Sequence, residues 1–207
     1  MNEPTASLAV TIGERIRTER LQRRWTLDQL AGASGISRRQ LVNVEQGEAN
    51  PSIGTLLSLS DALGIGLPAL VEPAHTSAVQ VTRAGAGAEL WTGTAGGRGV
   101  LLAGTHPPDV VELWEWSMHP GERHDSAPHS AGTRELLHVR SGTVELTVAD
   151  DTFTLSVGEA ASFRGDLSHA YAAGADEPTT FSLAVFEPGV GQRDTPDNGA
   201  VAPRTAV

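Results

Sequence analysis

The spacing of the hydrophobic residues changes once along the chain, and this change limits what the chain can fold into. From residue 11 to residue 72 the apolar residues recur every three or four positions, which is the period of an amphipathic helix. After residue 87 they alternate with polar residues, which is the period of a half-buried strand. Helices gathered in one part and strands in the other predict two domains, one all-α and one all-β.

Signals for helix ends divide the first part into five short helices. Hydroxyl residues followed three positions later by Glu or Gln form three capping boxes, which satisfy backbone N–H groups where a helix begins. They cover residues 11–14, 26–29 and 37–40. Gly35, Gly47 and Gly64 stand where helices should end, because glycine readily adopts the left-handed conformation that closes a helix. A fourth helix should begin near Ser52, and a short fifth helix should follow Gly66.

Strand-like alternation is found in six segments of the second part, at residues 110–118, 135–140, 143–149, 152–156, 159–165 and 181–187. The short turns at 141–142 and 149–151 join neighbouring segments closely, which is typical of an antiparallel sandwich or barrel. The predicted boundaries are 10–72 for the helical domain, 73–87 for a small and polar linker, 88–187 for the β domain and 188–207 for a tail. The tail has almost no large apolar residue and is predicted to be disordered.

The charge of the chain is negative and unevenly distributed. A net charge of −10 argues against a general affinity for nucleic acid, but residues 1–72 hold seven arginines against eight acidic residues and are nearly neutral. The absence of cysteine excludes disulfides and thiolate metal sites. No apolar run approaches the roughly 18–20 residues of a membrane span, and the first residues lack the pattern of a signal peptide. We therefore expect a cytoplasmic protein with no membrane partner.

The two predicted helices on either side of residues 31–37 have the arrangement of a helix-turn-helix, whose second helix enters the major groove of DNA. On this second helix Leu41 and Val44 face inward, and a polar face lies opposite. Arginine suits guanine and Gln or Asn suits adenine, whereas hydroxyls at helix starts suit phosphate oxygens. The predicted DNA contacts are Thr26, Ser37, Arg38, Arg39, Gln40 and Asn43. The alternative is a helical interaction module in which the two arginines are simply solvated.

Residues 27–65 resemble the lambda-repressor-like, or XRE-family, DNA-binding domain, and the resemblance extends over about residues 10–72. It implies a five-helix DNA-binding domain whose partner is double-stranded operator DNA. In that family an arginine of the first helix pairs with a glutamate late in the recognition helix. The matching residues are Arg20 and Glu45, so the resemblance implies a structural ion pair between them.

Residues 120–142 resemble the first motif of the cupin superfamily, whose fold is a small all-β barrel called a double-stranded β-helix. His129, Glu135 and Gly142 match that motif, whereas Ala131 stands in the place of its second histidine.

Residues 158–172 resemble the second motif of the cupin superfamily. The resemblance to the whole domain spans about residues 88–187. Gly158 opens this motif and His169 occupies its ligand position, although Ser168 replaces the usual proline.

The cupin resemblance implies that His129, Glu135 and His169 point into the mouth of the barrel. Two imidazoles and a carboxylate suit one divalent ion of zinc, iron, manganese or nickel and leave coordination positions open. The alternative is a hydrogen-bonded His–Glu contact in a pocket that binds an organic ligand without metal. Four further histidines, His75, His106, His119 and His124, are expected in loops or solvent.

Strand alternation also predicts the walls of an effector pocket. In the segment after residue 133, Glu135 shares its inward face with Leu137 and Val139. In the segment 110–118, the face that carries the tryptophans is predicted to point inward, because an exposed tryptophan wastes its apolar surface. The predicted pocket residues are Trp114, Trp116, Met118, Phe163 and Tyr171. For each of them the alternative is packing in the core or in a dimer.

A recognition-helix domain followed by a cupin domain resembles the architecture of one-component transcriptional regulators. The resemblance implies that the first domain binds an operator as a dimer and that the second senses a small-molecule effector. We expect the cupin domain to hold this homodimer together. The main alternative is a metal-dependent epoxidase or oxygenase, because some XRE–cupin proteins are iron-dependent, including a phosphonate epoxidase that uses two histidines and one glutamate. The polar face of the recognition helix favours the regulator.

Overall fold

The computed structural model describes residues 3–71 and 78–191. The helices of this part of the chain are α1 (Glu3–Gln22), α2 (Leu27–Ser34), α3 (Arg38–Glu45), α4 (Ile53–Leu63) and α5 (Leu67–Val71). Antiparallel strands follow them, so the predicted fold class, a five-helix domain and then an all-β domain, is confirmed. None of the described helices is long and apolar enough to span a bilayer.

The ends of α2 and α4 lie where their capping residues predict them. Thr26 forms a complete capping box with Gln29, and Ser52 caps the start of α4. Left-handed glycines close the two helices, with φ values of 70° at Gly35 and 63° at Gly64. Both signals were readable in the sequence because they depend only on neighbouring residues.

The start of α1 differs from the prediction. The capping box predicted at residues 11–14 is wrong, because these residues lie inside a helix that already includes Glu3. The apolar period continues upstream of the box, and Ala9 and Ile12 are buried on one face. Gly13 has a different role here, since a Cβ at this position would clash with a backbone oxygen of α3. This glycine therefore allows α1 and α3 to pack closely.

The predicted ion pair between Arg20 and Glu45 is confirmed and joins α1 to the end of α3. The Nε and NH2 groups of Arg20 each donate to one carboxylate oxygen of Glu45 at 2.7 Å. The NH1 group donates to the carbonyl of Trp25 at 2.9 Å. Only 9% and 7% of the two side chains is exposed. Bidentate geometry and the extra acceptor satisfy a guanidinium that has been removed from water.

The β domain is built from two antiparallel sheets that face each other. Its strands are β1 (Ala88–Thr92), β2 (Arg98–Gly104), β3 (Val110–Met118), β4 (Arg123–Ser126), β5 (Arg134–Ser141), β6 (Val144–Val148), β7 (Asp151–Leu155), β8 (Ala160–Arg164), β9 (His169–Ala173) and β10 (Thr179–Glu187). One sheet has the order β1-β2-β3-β10-β5-β8 and the other has the order β4-β9-β6-β7. Trp116 of the first sheet contacts Tyr171 of the second, with ring centroids 5.7 Å apart, so the sheets share one core.

Alternation correctly predicted which side chains of β3 and β5 point inward. The positions of Glu112, Trp114 and Trp116 on β3 are buried, and the positions between them are exposed. On β5 the same holds for Glu135 and Leu137. Four strands lie outside the predicted segments, namely β1, β2, β4 and β9. Strand β9 is buried at four of its five positions and β4 is a polar strand of four residues, so neither shows a readable alternation.

The helical domain packs on one end of the barrel through α4 and α5. Gly104 of β2 lies so close to Pro68 of α5 that a Cβ on the glycine would clash with the proline ring. The carboxylate of Asp61, on α4, is hydrogen-bonded by the side chain of Ser130 in the loop before β5. The two domains are therefore in direct contact at the end of the barrel where β3 and β5 begin and β10 ends.

Parts of the predicted linker and tail lie outside the described residues. This applies to residues 72–77 and to residues 192–207. Residues 188–191, which the predicted tail includes, form a turn against the barrel. In that turn the backbone N–H of Val190 donates to the carbonyl of Pro108 at 2.7 Å.

The variant Glu45→Ala should destabilise the helical domain by about 3–5 kcal/mol, because it leaves the Arg20 guanidinium buried without its counterion. Chemical unfolding followed by circular dichroism measures this, with Glu48→Ala as the control, because Glu48 is an exposed acidic residue just after α3. Unchanged stability combined with lost DNA binding would show that Glu45 acts at the DNA and not in the domain core.

Candidate functional site

Three potential metal ligands converge at the end of the barrel that α4 covers. Glu135 is an inward-facing residue of β5, His169 is the first residue of β9, and His129 lies in the loop between β4 and β5. The Nε2 atoms of His129 and His169 lie 3.1 Å and 3.2 Å from Oε1 of Glu135. One ligand atom from each residue lies within 4.8 Å of the others. The three predicted ligands are therefore brought together from two strands and a loop.

Hydrogen bonds on the far sides of these groups leave their inner atoms available. Nδ1 of His169 lies 2.8 Å from the carbonyl oxygen of Leu167, which can only accept, so in the neutral ring this nitrogen carries the proton and Nε2 is the atom left for a metal. Burial lowers the pKa of His169, but the neighbouring Glu135 outweighs burial and raises it, so without a metal the charged ring is favoured. The hydroxyl of Tyr171 donates to Oε2 of Glu135. Within the described part of the chain, Oε1 of Glu135 and Nε2 of His169 are buried and have no hydrogen-bond partner. This set of two imidazoles and a carboxylate could bind a divalent metal.

Burial and the two histidines set the charges of this group. Burial by itself would raise the pKa of Glu135, but His129 and His169 outweigh it and lower the pKa to about 2. Burial, and then the charge of Glu135, raises the pKa of Tyr171 well above its ordinary value. At neutral pH Glu135 is therefore an anion and Tyr171 a neutral hydrogen-bond donor. A deprotonated carboxylate is the form that ligates a metal.

A narrow cavity of about 30 Å³, open to solvent at its mouth, lies beside these residues, and both domains contribute to its wall. Ile53 and Leu57 of α4 line one side, and inward-facing residues of the strands line the rest. The polar residues of the wall are Glu112, His124, Ser126, His129 and Glu135.

The structure places three of the five predicted pocket residues at the cavity wall: Trp114, Trp116 and Tyr171. Met118 and Phe163 do not line it. Met118 is buried but lies two residues beyond Trp116 on β3, deeper in the barrel core. Phe163 lies behind the wall, with its ring centroid 5.6 Å from that of His169 and 6.4 Å from that of Tyr171. Strand parity predicts which face a residue is on but not how deep it lies along the barrel axis.

His124 was expected in a loop or in solvent, and this prediction is wrong. The residue lies on β4 with its ring at the cavity wall, 4.9 Å from the ring of Trp116 and 6.2 Å from that of Tyr171. Burial, and then the charge of His169, lowers the pKa of His124 to about 4, so its ring is neutral at pH 7. The four-residue strand was too short and too polar to reveal an inward face.

Buried carboxyl groups lie next to the cavity and had no predicted role. Trp114 donates from Nε1 to Oε2 of Glu112 at 2.8 Å. Burial, and then the charge of Glu187, raises the pKa of Glu112 to about 8. Burial, and then the charge of Asp61, raises the pKa of Glu187 to about 7. The inward position of Glu112 was predicted from strand parity, but the contribution of Asp61 depends on how α4 docks.

The predicted DNA contacts lie at the starts of α2 and α3 and along α3. Thr26 and Ser37 are N-caps, and their hydroxyls accept hydrogen bonds from the backbone. Such a hydroxyl keeps its own proton for a phosphate oxygen. Arg38 and Arg39 are exposed, and Nε of Arg38 lies 3.2 Å from a carboxylate oxygen of Asp28 on α2.

Gln40 is not used as the predicted capping box requires. Its backbone N–H donates to Ser37, but its side-chain amide donates to the hydroxyl of Thr55 on α4 at 3.3 Å. The box at residues 37–40 is therefore only half formed. Asn43 is half-buried, one turn further along α3. Arg38, Arg39, Gln40 and Asn43 therefore lie on one helix, α3, and Gln40 also contacts α4.

Comparisons with known proteins match both domains. The helix-turn-helix family model HTH_3 matches residues 16–70, and the cupin-domain family model Cupin_2 matches residues 114–186. The HTH-type transcriptional regulator SutR of Escherichia coli (strain K12) is 26% identical over 182 residues, which are 88% of this chain and 98% of that protein. The immunity repressor protein of Bacillus phage phi105 is 40% identical over 62 residues, 30% of this chain and 43% of the repressor.

A solved structure has the same overall fold. The crystal structure of an HTH_3 family transcriptional regulator from Vibrio cholerae superposes with a TM-score of 0.68 at 24% identity, covering 89% of this chain and 99% of that one. This chain therefore contains a domain that matches the helix-turn-helix family HTH_3, followed by a domain that matches the cupin family Cupin_2.

Proposed function

We propose that this protein is a DNA-binding transcriptional regulator whose cupin cavity senses a small-molecule effector. One observation carries the proposal: α4 belongs to the helix-turn-helix domain and also forms part of the cavity wall, through Ile53 and Leu57. A ligand in the cavity would therefore touch the DNA-binding domain directly. The regulatory name of the Escherichia coli relative, which aligns along nearly its whole length, also supports the proposal.

A single helix separates the cavity from the helix that would read DNA. Thr55 lies between Ile53 and Leu57 on α4, and its hydroxyl accepts the hydrogen bond from Gln40 of α3. A ligand that displaces α4 would therefore displace Gln40 as well. The effector can change the DNA affinity only by the ratio of its own affinities for the two arrangements, which is the condition for any coupled equilibrium.

Operator reading is assigned to α3 and to the two helix starts. Arg38, Arg39, Gln40 and Asn43 would reach base edges in the major groove, where arginine pairs with guanine and the amides pair with adenine. Thr26 and Ser37 would donate to phosphates and fix the position of the domain on the duplex. The ion pair of Arg38 with Asp28 is exposed on both sides, so water and DNA can compete for the arginine at little cost.

His129, Glu135 and His169 would hold a divalent metal in the cavity. The fit rests on the buried and unpartnered Oε1 of Glu135 and Nε2 of His169, together with the hydrogen bonds that orient both groups. A bound metal would act as a Lewis acid with open positions for an effector atom. The protein itself supplies the orientation, because Leu167 fixes the tautomer of His169 and Tyr171 holds the second oxygen of Glu135.

The same three residues support the alternative function, an iron-dependent oxygenase or epoxidase. Two histidines and one carboxylate on one side of an open cavity are the ligand set of non-haem iron oxygenases. The exposed arginines of α3 have no role in that function, whereas a regulator uses both domains. Selection of a duplex by the full chain therefore distinguishes the two functions.

The outer face of the first sheet is assigned to the homodimer. Its exposed apolar residues form the outer patch, which consists of Val111, Leu113, Leu136 and Phe186. The register places Ala184 between Leu113 and Leu136, so the patch crosses the three neighbouring strands β3, β10 and β5. Contiguous exposed apolar surface of this kind marks association sites. Dimerisation here would hold two recognition helices for half-sites about one helical turn apart.

The proposed regulator should select a near-palindromic duplex from a random pool. Arg39→Ala should weaken binding to that duplex by about 1–3 kcal/mol, which is the cost of losing a bidentate base contact. Fluorescence anisotropy measures it, with Arg123→Ala as a control that removes the same charge from the barrel surface. The regulator proposal fails if the wild-type chain prefers no duplex.

Metal retention tests the ligand assignment. His129→Ala should lower the affinity for zinc or iron(II) by at least about 100-fold, more than the loss of a mere orienting partner does. His138→Ala, on the exposed face of the same β5 strand, should leave it unchanged. Elemental analysis and metal titration give both values. Equal metal uptake by the two variants, or none by the wild-type chain, would contradict the assignment.

Charge in the outer patch should separate the subunits. Leu136→Glu should convert the dimer to a monomer at micromolar concentration in sedimentation velocity, because a carboxylate cannot be buried there without a partner. Phe153→Glu is the matched control, since Phe153 is an exposed hydrophobic residue of the other sheet. A wild-type monomer, or a dimer that only the control variant disrupts, would refute the placement of the interface.

A further inference from the structure

One carboxyl oxygen of Glu112, Oε1, is buried and has no hydrogen-bond partner among the described residues. Its side chain lines the cavity, and the residue is only 2% exposed. Trp114 occupies Oε2, while Oε1 has no hydrogen-bond partner within the described part of the chain. A buried and unsatisfied carboxylate oxygen is costly, so such a group in a cavity wall indicates a ligand that satisfies it.

The electrostatic surroundings of Glu112 favour a positive ligand. Glu187 lies beside it, is 1% exposed and also has an unpartnered oxygen, Oε2, within the described residues. No arginine is among the residues that line the cavity, and the chain contains no lysine. The neutral ring of His124 adds no opposing charge at pH 7.

The wall around Glu112 suits an organic group better than a bare ion. Trp114, which donates to Glu112, and Trp116 both line the cavity, with their ring centroids 6.0 Å apart. Aromatic rings attract organic cations and exclude the water that would compete with a charge-assisted hydrogen bond. Nε1 of Trp116 is likewise buried without a partner among the described residues, so it can donate to an acceptor atom of the same ligand.

This end of the cavity is distinct from the proposed metal ligands. In the register of the first sheet, Val185 of β10 pairs with Glu112 on one side and with Glu135 on the other. The two glutamates therefore lie two strands apart, roughly 9–10 Å at the usual strand spacing. Separate groups would bind at the two ends.

We propose that the Glu112 end of the cavity binds the ammonium group of a small organic amine. The inference rests on the proposed function, because it names the chemical class of the effector for the same cavity. The ammonium group donates to Oε1 of Glu112, and the tryptophan rings enclose the adjoining carbon atoms. In the empty cavity the surrounding acids, Glu187, Glu135 and Asp61, favour the protonated form of Glu112. The amine binds as a cation, and the Glu112 proton leaves to solvent.

The test uses the full-length chain and three probes of nearly equal size: n-butylamine, 1-butanol and butyrate. Isothermal titration calorimetry at pH 8 should show the amine binding about 10- to 100-fold more tightly than the alcohol, as expected for a charge-assisted hydrogen bond out of water. Butyrate should bind no better than the alcohol. An equal or greater affinity for the alcohol or the anion, or no binding of the amine, overturns the proposal.

Single-residue variants test whether Glu112 is responsible for the preference for the amine. Glu112→Gln should abolish the preference for the amine, whereas Glu145→Gln, on the exposed face of β6, should retain it. Circular dichroism checks that each variant is folded, and Glu187→Gln gives a second reading with a smaller loss should Glu112→Gln not fold. Retention of the preference in folded Glu112→Gln overturns the assignment.

Two further measurements separate this inference from the function on which it rests. His129→Ala should still bind the amine, because the metal ligands are at the other end of the cavity. If the amine binds through Glu112 but leaves the affinity for the selected duplex unchanged, the proposed regulatory role fails and the amine site stands. If another ligand of the cavity changes the DNA affinity and the amine does not bind, only the amine site fails.

Discussion

The packing of α4 and α5 against the barrel is the contact on which the rest of the structure depends. It closes one end of the cavity with Ile53 and Leu57, and it brings Asp61 to Ser130 and close to the buried acids. Without it the barrel mouth would be open to water, and Asp61 would no longer contribute to the raised pKa of Glu187. The contact also makes the cavity a property of both domains, whose buried apolar residues form one continuous cluster.

Two carboxyl groups of the barrel show how neighbours decide the effect of burial. Glu135 and Glu112 are both almost fully buried and lie on the same face of one sheet. The pKa of Glu135 is lowered to about 2 because two histidines outweigh its burial, whereas burial raises the pKa of Glu112 to about 8 and the neighbouring acids add to that rise. One end of the cavity is therefore prepared for a metal and the other for a ligand that brings its own positive charge.

What the sequence predicted depends on how local the responsible interaction is. Helix caps such as Thr26 and the inward faces of β3 and β5 were predicted, because a cap and a strand period involve only near neighbours. The pairing of Arg20 with Glu45 and the convergence of the three ligands came from the resemblance to known families. The cavity role of His124, the depth of Met118 and the docking of α4 were not predictable, since each depends on contacts between distant segments.

The close fit of Gly104 against Pro68 has a consequence for the exchange of sensor domains between proteins of this architecture. The contact between the two domains has no room for a single extra carbon at Gly104, so the backbone of β2 must lie at one fixed distance from the ring of Pro68. Fusion of this helix-turn-helix domain to a foreign barrel would keep both folds but lose the fit between them, and with it one wall of the cavity. The smallest unit that can be transferred with its cavity intact is therefore the barrel together with α4 and α5. A working chimera should join the two proteins inside the helical domain, not in the linker.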